Sequence, residues 1–258
     1  LTKCDVEKKQ GIPASQAEDP RRPGRIADVK LLAFEASTRR LSVALWQDGA
    51  LVEKSADVPN GGSERLLPWA GELLAEAGFG LHQIDGIAFG AGPGGFTGLR
   101  LACGVAQGLA WGLDRPVVPV GTLAALALAS GDGRVLACLD ARMQEVYVAA
   151  YAVSGDAVEE VMAPKVGAGE TVALPSGDGW RGVGDGFAAW GAALGARLGD
   201  RLASVQADVL PTAAAVARLA APVLASGGGV PAVEAVPFYV RDKVALTTAE
   251  RLARGGAK

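Results

Sequence analysis

The chain has 258 residues, half of them apolar, with 25 Lys and Arg against 28 Asp and Glu and a single histidine. That is enough for one large domain or two small ones with an ample core, and the lack of an apolar run of ~18 residues excludes a membrane-spanning helix. No basic stripe with interleaved aromatics occurs, which disfavours strong nucleic-acid binding by this chain alone.

Residues 1–28 mix Lys, Glu, Pro, Arg and Gln without apolar periodicity or the hydrophobic stretch of a signal peptide. They read as a disordered extension or, since the first residue is Leu, as a stretch wrongly placed ahead of the true start. Three strands follow, over 30–35, 41–47 and 50–58, the last two joined by a turn at Asp48-Gly49. Residues 63–77 read as a helix with Leu66, Ala70, Leu73 and Ala77 on one stripe and Gly78 as its stop. Pro68 must sit in its first turn or kink it. Residues 84–89 form the fourth strand.

The stretch from Gly90 to Arg100, Gly-Ala-Gly-Pro-Gly-Gly-Phe-Thr-Gly-Leu-Arg, resembles a phosphate cradle at a helix start. It lacks the Lys and Ser/Thr pair of a Walker-type loop. Thr97 lies between Phe96 and Gly98, and the nearest cation is Arg100. The acidic residue that a dinucleotide site needs beyond the helix is also missing. A tight turn whose glycines let backbones approach is the plainer reading.

Along the next helix, 97–113, Gly104, Gly108 and Gly112 recur every fourth residue on one face, beside a stripe of Leu101, Val105 and Leu109. Each interior glycine costs about 0.5–1 kcal/mol relative to alanine. Close approach of another helix, from this chain or a second one, is the packing reason. Should that helix come from a second chain, the candidate contact set is Leu66, Trp69, Ala70 and Leu73 on the first helix with Arg100, Leu101, Gly104, Gly108, Leu109 and Gly112 on the second.

Residues 117–120 are a fifth strand and 122–128 a short apolar helix, ended by Ser130-Gly131-Asp132-Gly133. The pattern then restarts, with strands over 134–139, 145–153 and 157–164. A glycine-rich passage over 177–186 follows, then helices from near Phe187 and over 212–224, and a final extended segment over 237–246. Two successive units of three strands followed by alternation predict a duplicated α/β fold. That order is the signature of the ribonuclease-H-like unit, two copies of which make the actin/Hsp70-like arrangement. The units are placed at 29–121 and 122–258.

In such folds ATP sits between the units, on an Asp followed by Gly and Ser/Thr. Here the first turn reads Glu35-Ala36-Ser37-Thr38 and the second Asp140-Ala141-Arg142, neither with glycine. Glu35, Ser37, Thr38 and Asp140 thus outline a degraded nucleotide site, with Asp140 and Arg142 more readily a structural ion pair. His82, alone in a polar turn, is a solvated loop residue rather than a metal ligand. Cys4, Cys103 and Cys138 lack Cys-x-x-Cys spacing and fit reduced thiols, the last two as small core hydrophobes. No catalytic residue, metal site or cofactor is expected.

Four stretches together resemble the TsaB family of tRNA threonylcarbamoyladenosine biosynthesis proteins over most of 30–245. They are 32–38 with 41–45, the loop Gly92-Pro93-Gly94-Gly95-Phe96-Thr97-Gly98-Leu99-Arg100, the run Leu139-Asp140-Ala141-Arg142-Met143-Gln144-Glu145-Val146-Tyr147, and Pro237-Phe238-Tyr239-Val240-Arg241. One departure is Glu35, where many relatives carry Asp. The sister family TsaD, the catalytic subunit, carries a His-x-x-x-His metal motif after the next strand, where this chain reads Pro119-Val120-Gly121-Thr122-Leu123-Ala124-Ala125.

The resemblance implies a noncatalytic cytoplasmic subunit that pairs through its first two helices with a TsaD-like catalytic subunit and activates it. That enzyme transfers threonylcarbamoyl to N6 of the adenosine beside the tRNA anticodon, and the complex includes a small TsaE-like ATPase. A homodimer is implied when the partner is absent, and tRNA is met only through the complex. The competing readings are an actin-fold ATP-binding enzyme acting alone and a metallopeptidase-like protein.

Overall fold

The computed structural model describes residues 26–47, 49–58 and 62–241. The expectations for the first 25 residues (Cys4 among them), for Asp48 and for the segment beyond Arg241 lie outside the described residues. Two five-stranded sheets carry the fold. The first comprises β1 (Lys30–Glu35), β2 (Arg40–Gln47), β3 (Ala50–Asp57), β4 (Gly86–Gly92) and β5 (Val117–Gly121), in the order β3-β2-β1-β4-β5. The second comprises β6 (Gly133–Asp140), β7 (Val146–Ser154), β8 (Ala157–Gly167), β9 (Trp180–Val183) and β10 (Leu202–Gln206), in the order β8-β7-β6-β9-β10. In each, the first three strands pair antiparallel, the fourth joins the first in parallel and the fifth joins the fourth in parallel. The duplication and the ribonuclease-H-like strand order expected from the sequence are both present.

Among the described residues five α-helices complete five layers: α1 (Ser63–Ala77), α2 (Phe96–Leu113), α3 (Thr122–Ala129), α4 (Gly186–Leu198) and α5 (Ala213–Ala225). β1 is apolar at every position but its ends because it feeds two cores: Leu31 and Ala33 face inward, Leu32 and Phe34 outward. The outward pair meets α1 and α2 through Leu66, Leu73, Ala102 and Ala106. The inward pair meets α3 and α5, which lie between the sheets with Leu123, Leu126, Val216 and Ala220. A helix covered on both sides is apolar all round, as α3 is. α4 closes the far face of the second sheet, its Leu194 and Leu198 joining Leu136, Cys138 and Trp180.

Several elements depart from the sequence reading. β4 begins at Gly86 and runs on to Gly92, because Gly90 and Gly92 pair with Val120 and Gly121 of β5; the first glycines of the loop are strand. β9 and β10 were hidden in stretches read as loop, being short and, for β9, flanked by glycines. Pro68 lies in the second turn of α1, after an N-cap at Gly62. Residues 26–28, assigned to the extension by composition, instead form a 3₁₀ turn whose Ile26 carbonyl accepts from Trp46 Nε1 at 3.3 Å.

A boundary at residue 121 does not separate the lobes in space. α5, late in the chain, packs on the first sheet and is capped by it. Ser42 Oγ accepts from the Ala213 N–H at 2.7 Å and Glu53 Oε1 from the Ala214 N–H at 2.8 Å. Thr212 Oγ1 caps the same turn through the Ala215 N–H. These bonds satisfy helix N–H groups that have no intrahelical partner. Residues 230–241 also return across the first unit: Val230 pairs with Val117, and the Phe238 N–H donates to the Ala91 carbonyl at 2.7 Å.

Candidate functional site

A cavity of about 810 Å³ opens between the lobes, walled by Ser37–Arg39, the start of α2, the turn after β6 and the segment Phe238–Arg241. Its floor explains the glycine loop. The Gly95 N–H donates to the Ser37 carbonyl at 2.7 Å. A Cβ on Gly98 would overlap the Ala36 carbonyl oxygen, and one on Gly94 would lie 2.6 Å from Ser37 Cβ. The concavity that resembles a phosphate cradle is therefore filled by the chain's own β1–β2 turn. The glycines are required by backbone approach.

Of the outlined nucleotide quartet, Ser37, Thr38 and Asp140 wall the cavity. Glu35 is fully buried and turned toward β4, where a Cβ on Gly90 would overlap its Oε2. Its Oε1 accepts from the Ser37 N–H at 2.6 Å, while Oε2 and Ser37 Oγ have no partner. Burial pushes the Glu35 carboxyl above the usual range, opposed by the Ser37 N–H that bonds it. Thr38 Oγ1 accepts from the Arg40 N–H at 3.2 Å. Asp140 is committed locally: it accepts from the Arg142 N–H at 2.9 Å and pairs with Arg142 Nη1 at 3.1 Å. Its own N–H donates to Asp185 Oδ1 at 3.1 Å. Burial raises the Asp185 carboxyl as well.

The turn after β6 is strained. Arg142, Met143 and Gln144 all have φ between 53° and 62°, a conformation that costs about 1–2 kcal/mol per residue for side chains other than glycine. The Ala141 N–H to Glu145 carbonyl bond closes the turn at 3.0 Å. From the other side Arg241 clamps it, with Nη2 donating to the Ala141 carbonyl at 3.0 Å and to Glu145 Oε2. Residues 237–241 thus bridge the two lobes across the cleft mouth. Sequence reading named Arg241 only as part of a motif; its clamp depends on a contact 96 residues away in the chain.

The helix residues assigned to a partner divide into two groups. Leu66, Ala70 and Leu73 are at most 4 % exposed and pack on the first sheet. They are a correction: that stripe is the inner face of α1. Trp69 is half-buried, with Arg65 over its ring at 5.8 Å; Leu101 and Leu109 are half-buried beside the same core. Gly104, Gly108 and Gly112 lie on the outer face, where an added Cβ would meet nothing within 4 Å. Two apolar neighbours went unnoticed in the sequence: Trp111 is 71 % exposed and Leu67 53 %. Trp111 follows Gly108 by three residues, so helical spacing alone places it on the glycine face.

Cys103 and Cys138 are buried free thiols, and burial raises both. His82 is exposed in a 3₁₀ turn (Leu81–Gln83). Among the described residues no three His, Cys, Asp or Glu side chains converge as a metal site, and no helix is long and apolar enough to cross a membrane.

Comparison with known proteins assigns this architecture. The family model of TsaD, tRNA N6-adenosine threonylcarbamoyltransferase, matches residues 60–237. The tRNA threonylcarbamoyladenosine biosynthesis protein TsaB of Escherichia coli K12 is 37% identical over 230 residues, which are 84% of this chain and 96% of that protein. The chain belongs to the TsaB family. TsaB of Haemophilus influenzae is 44% identical over 124 residues, 46% of this chain and 52% of that protein. The crystal structure of a Pseudomonas aeruginosa protein described as similar to peptidase YeaZ matches with a TM-score of 0.76 at 40% identity, covering 83% of this chain and all of that one.

Proposed function

We propose that the chain is an accessory subunit in tRNA threonylcarbamoyladenosine biosynthesis, pairing with a TsaD-like catalytic subunit through the outer face of α2 and the adjoining part of α1. The carrying observation is that face itself. Three glycines open to solvent are flanked by Phe96 at 47 % and Trp111 at 71 % exposure, an apolar strip that a lone monomer has no reason to keep bare. A glycine floor admits a helix backbone at short range, as small residues do at close helix contacts. In the absence of the catalytic chain the same face would support a homodimer, and tRNA and a TsaE-like ATPase would be met in the assembled complex.

The test is reconstitution with full-length chains. Transfer to tRNA should require both this chain and the TsaD-like chain, which should co-purify. Threonylcarbamoyl transfer by this chain alone, or failure of the two to associate, would overturn the reading. The interlobe cavity favours one alternative, an ATP-binding protein acting alone. Calorimetric titration with ATP and Mg²⁺ distinguishes it, with no saturable heat expected because the loop floor is filled and Asp140 is paired with Arg142.

A further inference from the structure

We infer that Arg100 is a preformed anchor for a carboxylate carried by a helix of the partner chain, held ready by Phe96 and Tyr239. The inference rests on the pairing reading above and deepens it. Arg100 is the single charged residue of α2. Its guanidinium carbon lies 3.3 Å from the centroid of the Phe96 ring and 5.8 Å from that of Tyr239. Stacking fixes the plane of a guanidinium while leaving its edge N–H groups free. No hydrogen bond or ion pair engages those N–H groups in the described residues, in contrast to Arg241 and Arg142, which both hold carboxylates of this chain. The rings that hold it are themselves exposed, at 47 % and 52 %.

Position supplies the rest. Phe96, Arg100, Gly104 and Gly108 recur every fourth residue, and Trp111 follows on the same face. At 1.5 Å per residue, Arg100 and Trp111 stand ~16 Å apart along the axis. The face is a strip of bare glycine with a cation at one end and an indole at the other, about three helical turns long. The occupant that matches is a helix of small and apolar residues bearing one Asp or Glu near the end that meets Arg100. A planar guanidinium with its edge free accepts a carboxylate through two parallel N–H bonds. Tyr239 ties this anchor to the C-terminal segment, two residues before the Arg241 clamp, so segment 237–241 belongs to the docking surface.

The experiment measures affinity for the full-length TsaD-like chain by calorimetry, using wild type, Arg100→Lys and Arg100→Glu. Lysine keeps the charge and loses the planar fork, so binding should weaken about tenfold; glutamate should weaken it about 100-fold or more. Replacing the matching Asp or Glu of the partner by Arg should restore binding to Arg100→Glu. Thermal melting of the isolated variants should stay close to wild type, since among the described residues no hydrogen bond or ion pair holds Arg100 and its two ring contacts are themselves exposed. Wild-type pairing with Arg100→Glu binding equally well overturns the anchor and leaves the pairing intact. Lack of wild-type pairing removes both. If Arg100→Glu dissociates a homodimer in sedimentation while heteromeric affinity is unchanged, the carboxylate belongs to a second copy, and the proposed occupant is wrong.

Discussion

Glu35 sits at the end of a central strand with no cation beside it among the described residues, and its neighbours explain how. Gly90 leaves the space its carboxyl fills, and the Ser37 N–H bonds one oxygen. Burial is the leading cause of its raised pKa, so the folded chain holds that proton more tightly than the unfolded chain. Stability therefore falls as pH climbs from the ordinary carboxylate value of 4.5 through the folded value. Glu53 and Asp185, also raised by burial, act in the same direction; Asp57, lowered by the bond from Arg40, acts oppositely but lies exposed. Glu35→Gln keeps an oxygen for the Ser37 N–H and removes one titration. Its melting temperature, followed from acid to mildly alkaline pH, should decline less steeply than that of wild type. Parallel curves would show that the carboxyl stays protonated throughout or that its neighbours relax around the charge.

At the scale of elements, α2 is the informative piece. Its inner face, with Leu99, Ala102, Ala106 and Ala110, is buried on the first sheet, while Gly104, Gly108 and Gly112 look outward. Gly108→Leu should leave the monomer as stable as wild type or firmer by ~0.5–1 kcal/mol, leucine being the better helix former. Pairing with the catalytic chain should be lost, because the side chain overpacks a contact built for bare backbone, typically by ~1–3 kcal/mol or more. Circular dichroism melting and size-exclusion with the partner read the two effects separately. A melted or aggregated variant would mean that this face is needed by the chain's own fold.

The whole molecule is held by pieces that cross between lobes. α3 and α5 share the central layer, and residues 230–241 run from a bridge at Val117 to the clamp at Glu145. The Arg241 side chain is only 15 % exposed, and its bonds go to a turn with three left-handed residues. Arg241→Ala should destabilise the chain by about 1.5–3 kcal/mol, the range for hydrogen bonds to charged groups. It should also speed amide hydrogen exchange over 141–145 while the strands of the first sheet keep their protection. Unchanged exchange in that turn would show that its local bonds suffice and that the C-terminal segment merely lies over it.

Local rules were enough for much of the fold. The first three strands, α1 with its Gly78 stop and the repetition of three strands and alternation follow from the spacing of apolar residues and from turn chemistry. The motif stretches around Gly92–Arg100 and Asp140–Glu145 carried the family. What needed the tertiary structure was which surface each pattern meets. The stripe of Leu66, Ala70 and Leu73 and the stripe of Gly104, Gly108 and Gly112 both announce helix packing, yet the first faces a sheet and the second faces solvent. Spacing reports that a face is apolar or bare, never what lies opposite it. The glycine loop is the same case: its glycines admit a backbone, and only the fold reveals that the backbone is the chain's own Ala36-Ser37. β9, β10, the capping of α5 by Ser42 and Glu53 and the Arg241 clamp were illegible because each is made by residues far apart in the chain, joined by a topology that no local pattern encodes.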